Sequence, residues 1–462
     1  MSGQPANSFG ASIGGCEPPV RTLLLNGLRN ANLAHVLVLA RSSVINREDG
    51  RAAVRGLLAL QLHDFQAKID QLPGFFEAAL QHRLGHAAAW MNADRSRFEP
   101  VGVAFLMAIR HRILSLARAH LRFAETTVEL AHQYRDAIIS NPANQVQGTV
   151  STLGHSLLTY VYPAFRDLER LQHCFRSFNS SPCGVGKHAT GGRLEVDHDL
   201  LRTLLGFDEC CSHAGDALWR ADGPIELVAA VVALLVNLNR LTEDLRFLAE
   251  TIDSTNSSWI RSLTSGLLAK VPALAALGKE GDDNPEACMV MAEELSVTFD
   301  GAIRAIELAG QLVERCAKNA AIQARPEIRL AAQSDLAEVF ALRGKIDYPT
   351  AENIAREVDR LIARGELALQ SLNPEIVDRI AVRIAGRPLH LEAADLASAI
   401  EPEQIIAEKR GPGGTAPQRI VEMITECRAR LVRENLWVNQ ASHRLAKSET
   451  LLLAEAQEAA KV

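Results

Sequence analysis

Four stretches of this chain carry apolar residues three and four positions apart over an unusual number of turns: residues 101–134, 151–178, 225–248 and 295–317. Helices of roughly 25 to 35 residues exceed the globular average and gain their stability by packing lengthwise. The pattern therefore predicts a central bundle of long helices over residues 99–325. Within it, residues 227–236 (LVAAVVALLV) are apolar on every face, which predicts a helix buried on all sides. No segment alternates apolar and polar residues as a half-buried strand does, and aromatics are only 5 % of the chain. The expected fold class is all-α.

At 462 residues, a prior of roughly 150 residues per domain suggests about three domains. Residues 1–98 read as an N-terminal helical domain behind a mobile glycine-rich arm. Asn46 with the acidic pair Glu48 and Asp49 reads as a helix start, where a side-chain acceptor and negative charge are favoured. After Arg325-Pro326 the elements shorten and are punctuated by Asn373-Pro374, Arg387-Pro388 and Gly411-Pro412-Gly413-Gly414. Residues 326–462 are thus expected to form a C-terminal helical domain ending in one last helix.

The formal charge of -6 and the absence of a basic, aromatic-interleaved patch argue against a nucleic-acid partner. The 227–236 run falls short of the roughly 18 residues of a membrane span, so no membrane partner is expected. Eight cysteines without a C-x-x-C spacing read as reduced thiols of a cytoplasmic protein, with neither a metal nor another cofactor expected.

The most distinctive segment is SPCGVGKHATGGRLEVDHDLLRTLLGFD, residues 181–208: an irregular glycine-rich loop running into an amphipathic helix. It resembles the glycine-rich loop of the argininosuccinate lyase family, in the fumarase/aspartase superfamily, which runs S-P-x-G-x-G-A, then P-I-D-R-E and L-L-G-F. Residues 31–60 and 334–354 are also similar to the family. The resemblance implies a three-domain fumarase/aspartase-like fold and a homotetramer that completes the bundle. It further implies active sites drawn from three subunits and β-elimination on a small carboxylate-bearing molecule. In that chemistry a base removes a proton beside a carboxylate, and surrounding donors stabilise the carbanion-like state.

Four blocks carry that chemistry in the family, and each is altered here. The block H-T-G-R-S-R-N-D-Q falls on residues 92–100, NADRSRFEP. Arg95, Ser96 and Arg97 survive and fit a carboxylate through a guanidinium fork, or cap the bundle and pair with local acids. Phe98 replaces the family's substrate-binding asparagine. The block T-H-L-Q-x-A-Q-P falls on residues 143–150, ANQVQGTV, where Asn144 and Thr149 retain hydrogen-bonding capacity without an imidazole. The nearby His155 reads as structural. In the glycine loop Gly184 and Gly186 match, Lys187 adds a charge that binds an anion or faces water, and His188 and His198 are either substitute bases or surface groups.

The family's serine loop, G-S-S-x-M-P-Q-K-K-N-P, should follow a helix ending like R-L-x-E-D-L, present here as residues 240–245. One alignment deletes the loop outright. A second places residues 254–258, STNSS, on its start, leaving Ser257 and Ser258 as catalytic candidates beside His188. The family's tyrosine, glutamine and lysine ligands fall on Ala287, Ala292 and Leu295. A lyase of different specificity and a non-catalytic relative both remain open on these residues.

Overall fold

A computed structural model describes residues 19–60, 71–96, 98–140, 150–184, 186, 190–194, 196–218, 220, 222–248, 254–277, 285–323 and 332–461. The first helices are α1 (Val20–Arg41), α2 (Arg47–Leu58) and α3 (Leu72–Leu84), with a 3-10 turn at Gly85–Asn92. Asn46 caps α2 as anticipated, its Oδ1 accepting from the Asp49 N–H at 2.8 Å. The long helix α4 (Glu99–Gln133) follows, then the three-residue antiparallel pair of β1 (Ile138–Ser140) and β2 (Val150–Thr152), and α5 (Leu153–Ser177). Next come β3 (Ser180–Ser181), α6 (His198–Leu205), β4 (Glu209–Cys210) and α7 (Ala214–Leu218). The bundle is completed by α8 (Asp222–Leu248), α9 (Ser254–Leu277) and α10 (Pro285–Gln323). The chain then forms α11 (Ala332–Gly344), α12 (Tyr348–Ala363), α13 (Pro374–Ala385), α14 (Ala393–Ile400), α15 (Pro402–Glu408) and the 45-residue α16 (Pro417–Lys461). The fold is all-α; the antiparallel pair β1–β2 and the parallel pair β3–β4 are short clasps between helices.

The polar pairs that cross between helices set their directions. Phe105 meets Phe178 at one end of the α4–α5 pair, and Gly154 N–H donates to the Tyr134 carbonyl at the other, so the two run antiparallel. Asn237 donates to Asp167 at 3.0 Å and Tyr160 to Asp244 at 2.7 Å, so α8 runs antiparallel to α5 and parallel to α4. The buried Arg112 of α4 bonds Asp300 of α10. One large core joins α1 to α10 with the inner face of α16, while residues 336–399 have a separate core of their own around Phe340, Ile354 and Val377.

The helices Val20–Arg41, Glu99–Gln133 and Asp222–Leu245 are long and apolar enough to cross a membrane by length and composition. In this fold their most apolar windows are 78 %, 72 % and 56 % buried, as a bundle core demands. The expectation that residues 227–236 are buried all round does not hold within one chain. Ala229 is exposed and Val236 is 49 % exposed, because α8 lies on the outside of the single-chain bundle. Leu268 of α9 and Val297 of α10 are likewise about half exposed.

Candidate active site

The chain reaches the start of α4 through Asp94, which takes a left-handed backbone (φ 51°) at the position where the resembling family carries glycine. Aspartate tolerates that region better than most residues. Its carboxylate then accepts from the N–H groups of Arg193 (3.3 Å) and Leu194 (3.0 Å), pinning the far side of the glycine loop to the N-terminal domain. The near side is pinned by Glu99, only 3 % exposed, which accepts from Gly184 N–H at 3.2 Å.

Arg95 lies between these anchors. It is 3 % exposed, and its Nη2 donates to the Oδ1 of buried Asn32, whose own Nδ2 donates to the Leu28 carbonyl at 2.7 Å. Among the described residues its Nε has no hydrogen-bond partner. Burial draws the Arg95 guanidinium below the ordinary arginine range, and the charge of Glu99 opposes that shift. His35 of α1 is also 3 % exposed; burial and the positive charge of Arg95 hold its imidazole well below the usual histidine range. A neutral histidine therefore sits beside a buried cation. Asn32, Arg95 and Phe98 open onto a cavity of ≈ 310 Å³ bounded by α1, α3 and the start of α4. Ser96 turns away to accept from Phe98 N–H at 3.2 Å, which starts the helix.

Gly184 and Gly186 both have φ +79°, the left-handed region that glycine enters without steric cost. A Cβ on Gly186 would lie 2.6 Å from the Gly191 carbonyl carbon, a backbone atom that cannot rotate away. Gly186→Ala is expected to cost about 1–3 kcal/mol, read as a lower midpoint in urea. An unchanged midpoint would show that the loop is not held in this conformation. His198 is tied to the loop by its Nδ1 at 3.2 Å from the Cys183 carbonyl, a bracing position.

The other anticipated residues lie elsewhere. At 1.5 Å per residue, the 35 residues of α4 place its two ends about 50 Å apart. Arg95, Ser96, Gly184 and Gly186 are at the first end, whereas the segment 141–149, with Asn144 and Thr149, follows the second. Ser257 lies in the backbone of α9 and Ser258 is exposed on that helix, near the end of α8 where Arg261 pairs with Glu243 at 2.6 Å. The expected loop position for Ser258 is corrected, since it belongs to the first turns of α9. Arg97, Lys187, His188, Asn144 and Thr149 lie outside the described residues, as does the side chain of Ser257.

Only residues 249–253 join α8 to α9, so the chain has no length for a serine loop there. Ala287, Ala292 and Leu295 face the core at 7 %, 0 % and 0 % exposure. His155 bridges Gly413 O (2.9 Å) and Ser151 Oγ (3.3 Å), tying the hairpin to the turn before α16, which is a structural role. Among the described residues, no group of three or more His, Cys, Asp or Glu side chains could hold a metal ion.

Comparison with known proteins agrees with this fold. A lyase family model matches residues 63–257. The chain is 22 % identical over 461 residues to the argininosuccinate lyase of Methanocaldococcus jannaschii, covering 92 % of each chain. It is 26 % identical to that of Synechococcus elongatus, covering 86 % of this chain and 90 % of the relative. Among solved structures, a variant of EDDS lyase with bound fumarate superposes with a TM-score of 0.84 at 19 % identity, over 96 % of this chain and 93 % of that one. The 3-carboxy-cis,cis-muconate lactonizing enzyme of Pseudomonas putida gives 0.66 at 12 % identity, over 90 % and 98 %. The long-helix bundle, the glycine loop braced by Asp94 and Glu99 and these likenesses make the chain similar to the argininosuccinate lyases along most of its length and support the fumarase/aspartase superfamily.

Proposed function

We propose that the protein is a lyase that breaks a C–N bond by β-elimination in a small carboxylate-bearing molecule other than argininosuccinate. The single observation that carries this reading is Arg95: a buried cation with an unpartnered Nε, at the edge of a cavity. An anion in that cavity pairs with a charge already desolvated, and the same guanidinium stabilises the negative charge that builds on the substrate carboxylate as the proton leaves. In this reading Arg97 and Lys187 supply further positive charge for the substrate, and Ser257, Ser258 or His188 takes the proton.

Because α4 holds the two groups about 50 Å apart, we further propose that sites form between chains of a homotetramer. There the second end of one bundle meets the first end of another. The half-exposed Val236, Leu268 and Val297 on α8, α9 and α10 support this packing, since apolar faces on three successive bundle helices favour burial. The relatives' metabolic names support a cytoplasmic location. The experiment is to incubate the full-length protein with a panel of N-substituted aspartates while following the ultraviolet absorbance of fumarate, with light scattering for assembly. Fumarate release by a tetramer is expected; a clean monomer would overturn the shared site.

A second reading, a non-catalytic scaffold or partner of an active paralogue, is favoured by the short α8–α9 link and the apolar residues at 287, 292 and 295. It is selected if no substrate turns over and neither fumarate nor succinate raises the melting temperature, since a ligand of the native state must do so.

A further inference from the structure

We infer that Cys211 is a thiol-modification site that takes small cationic disulfides, in a cavity sharing no lining residue with the one at Arg95. This second cavity, of ≈ 240 Å³, lies where the start of α4, the end of α5 and the start of α8 converge. Two free thiols line it: half-buried Cys211, just past β4, and Cys288 of α10, 7 % exposed. Arg220 Nη2 donates to the Cys211 sulfur at 3.2 Å, and the Ser180 hydroxyl is 3.3 Å from the same atom. A guanidinium can only donate, so a cationic N–H faces the sulfur where it carries negative charge during attack on an electrophile. Arg220 is itself fixed: its Nη1 donates to the Ser177 carbonyl at 3.3 Å, and the Asp216 carboxylate is 3.5 Å from its Nε.

The other described cysteines stand in different surroundings. Burial pushes the thiols of Cys174, Cys316 and Cys427 up to about 11 and that of Cys288 up to about 12, and holds Cys183 well above the usual thiol range. Cys210 is half-buried like its neighbour, but its sulfur donates to the His198 carbonyl at 3.7 Å, and burial together with Asp199 raises its thiol. Of this adjacent pair, Cys211 alone lines the cavity. The cavity also discriminates by charge. Its lining carries the carboxylates of Asp216, Asp222 and Glu226 against one guanidinium, Arg220, and one imidazole, His173. Its formal charge is therefore negative in either protonation state of the imidazole, which draws in a cationic reagent and repels an anionic one. The volume lies below the roughly 300 Å³ at which pockets for larger ligands begin, so an aminoethyl group suits it better than a tripeptide.

In the reaction Cys211 gives its proton to solvent and attacks one sulfur of the reagent. The reagent's S–S bond breaks, a protein–reagent S–S bond forms, and the other half leaves as a thiolate that takes up a proton. The test uses the reduced full-length protein with Cys16, outside the described residues, replaced by serine (Cys16→Ser). Cystamine and oxidised glutathione are the cationic and anionic probes, their adducts followed by intact mass and placed by peptide mapping. Each rate is divided by that of the same chain unfolded in urea, which removes the intrinsic difference between the probes. The first cystamine adduct is expected at Cys211, with a normalised rate on the order of tenfold above that of oxidised glutathione, the size one charge–charge contact near a protein surface supplies. Arg220→Gln is expected to slow that adduct on the order of tenfold, and Glu226→Gln to narrow the preference for cystamine. A first adduct at another cysteine, equal normalised rates for the two probes, or an unchanged rate in Arg220→Gln would overturn the inference. If Arg220→Gln loosens the fold, Cys174 and Cys210 label alongside Cys211, and Glu226→Gln decides: a narrowed preference supports the site and an unchanged one removes it.

Discussion

Replacing Arg110 with methionine is expected to destabilise the protein by about 3–5 kcal/mol, since it leaves several acceptors unsatisfied at about 1–3 kcal/mol each. Arg110 is 1 % exposed in the middle of the core. Its guanidinium donates to Asn179 Oδ1 at 2.6 Å, to the Gly206 carbonyl at 2.7 Å and to the Leu205 carbonyl at 3.1 Å, and it stacks on the Phe207 ring at 4.0 Å. Those carbonyls end α6, where helix acceptors have no partner within the helix. Methionine fills much of the same volume but leaves three buried or half-buried acceptors without this donor. Burial also pulls the guanidinium down to about 9, with Asp208 opposing the shift. Arg110 joins α4 to the far end of the glycine-loop segment, so loss of stability should be accompanied by earlier proteolysis around residues 181–206. Chemical denaturation of the variant decides the matter, and a midpoint equal to wild type would remove Arg110 from this role.

The second large effect is a pH dependence that belongs to His35. In the folded chain its imidazole is held well below the usual histidine range, by burial first and by the charge of Arg95 second. In the unfolded chain it titrates near about 6.5. Above that pH both states carry neutral imidazole and the residue contributes no slope. Below it the unfolded chain takes up a proton that the folded chain refuses, so stability falls as pH falls, by about 1.4 kcal/mol per pH unit until the depressed folded value is reached. His35→Gln removes the titrating group. The difference in unfolding free energy between wild type and variant should therefore be flat above pH 6.5, taken as the approximate model value, and slope below it. Parallel pH profiles would show that His35 is solvated or protonated in the native state.

Much of the architecture could be read from the chain itself. Periodicity over 101–134 anticipated α4 at Glu99–Gln133 within a residue or two, because a helix this long repeats its apolar stripe too often to be mistaken. The cap at Asn46 was equally legible, since its geometry is local. Burial in α8 was not. Periodicity reports that a face is apolar but not whether its cover comes from the same chain, and Val236 stays 49 % exposed within this one. The role of Asn32 and His35 was missed for a related reason: α1 reads as a mostly apolar helix, and attention went to its stripe. The signal was present in the polar residues Asn30, Asn32 and His35, which are 0 %, 3 % and 3 % exposed. Buried polar groups on an apolar helix need partners, and Arg95 is the partner of one of them. The last helix was expected as part of a C-terminal unit; at 45 residues it reaches back along α4 and α2, because a helix of that length outruns a small domain.

The link between α8 and α9 has a kinetic meaning. Residues 249–253 can extend no more than about 18 Å, too short a tether to swing across a pocket and shut it. A molecule held at Arg95 is then expected to exchange with bulk solvent without waiting for this link to move. Product departure should accordingly be insensitive to any stiffening of residues 249–253.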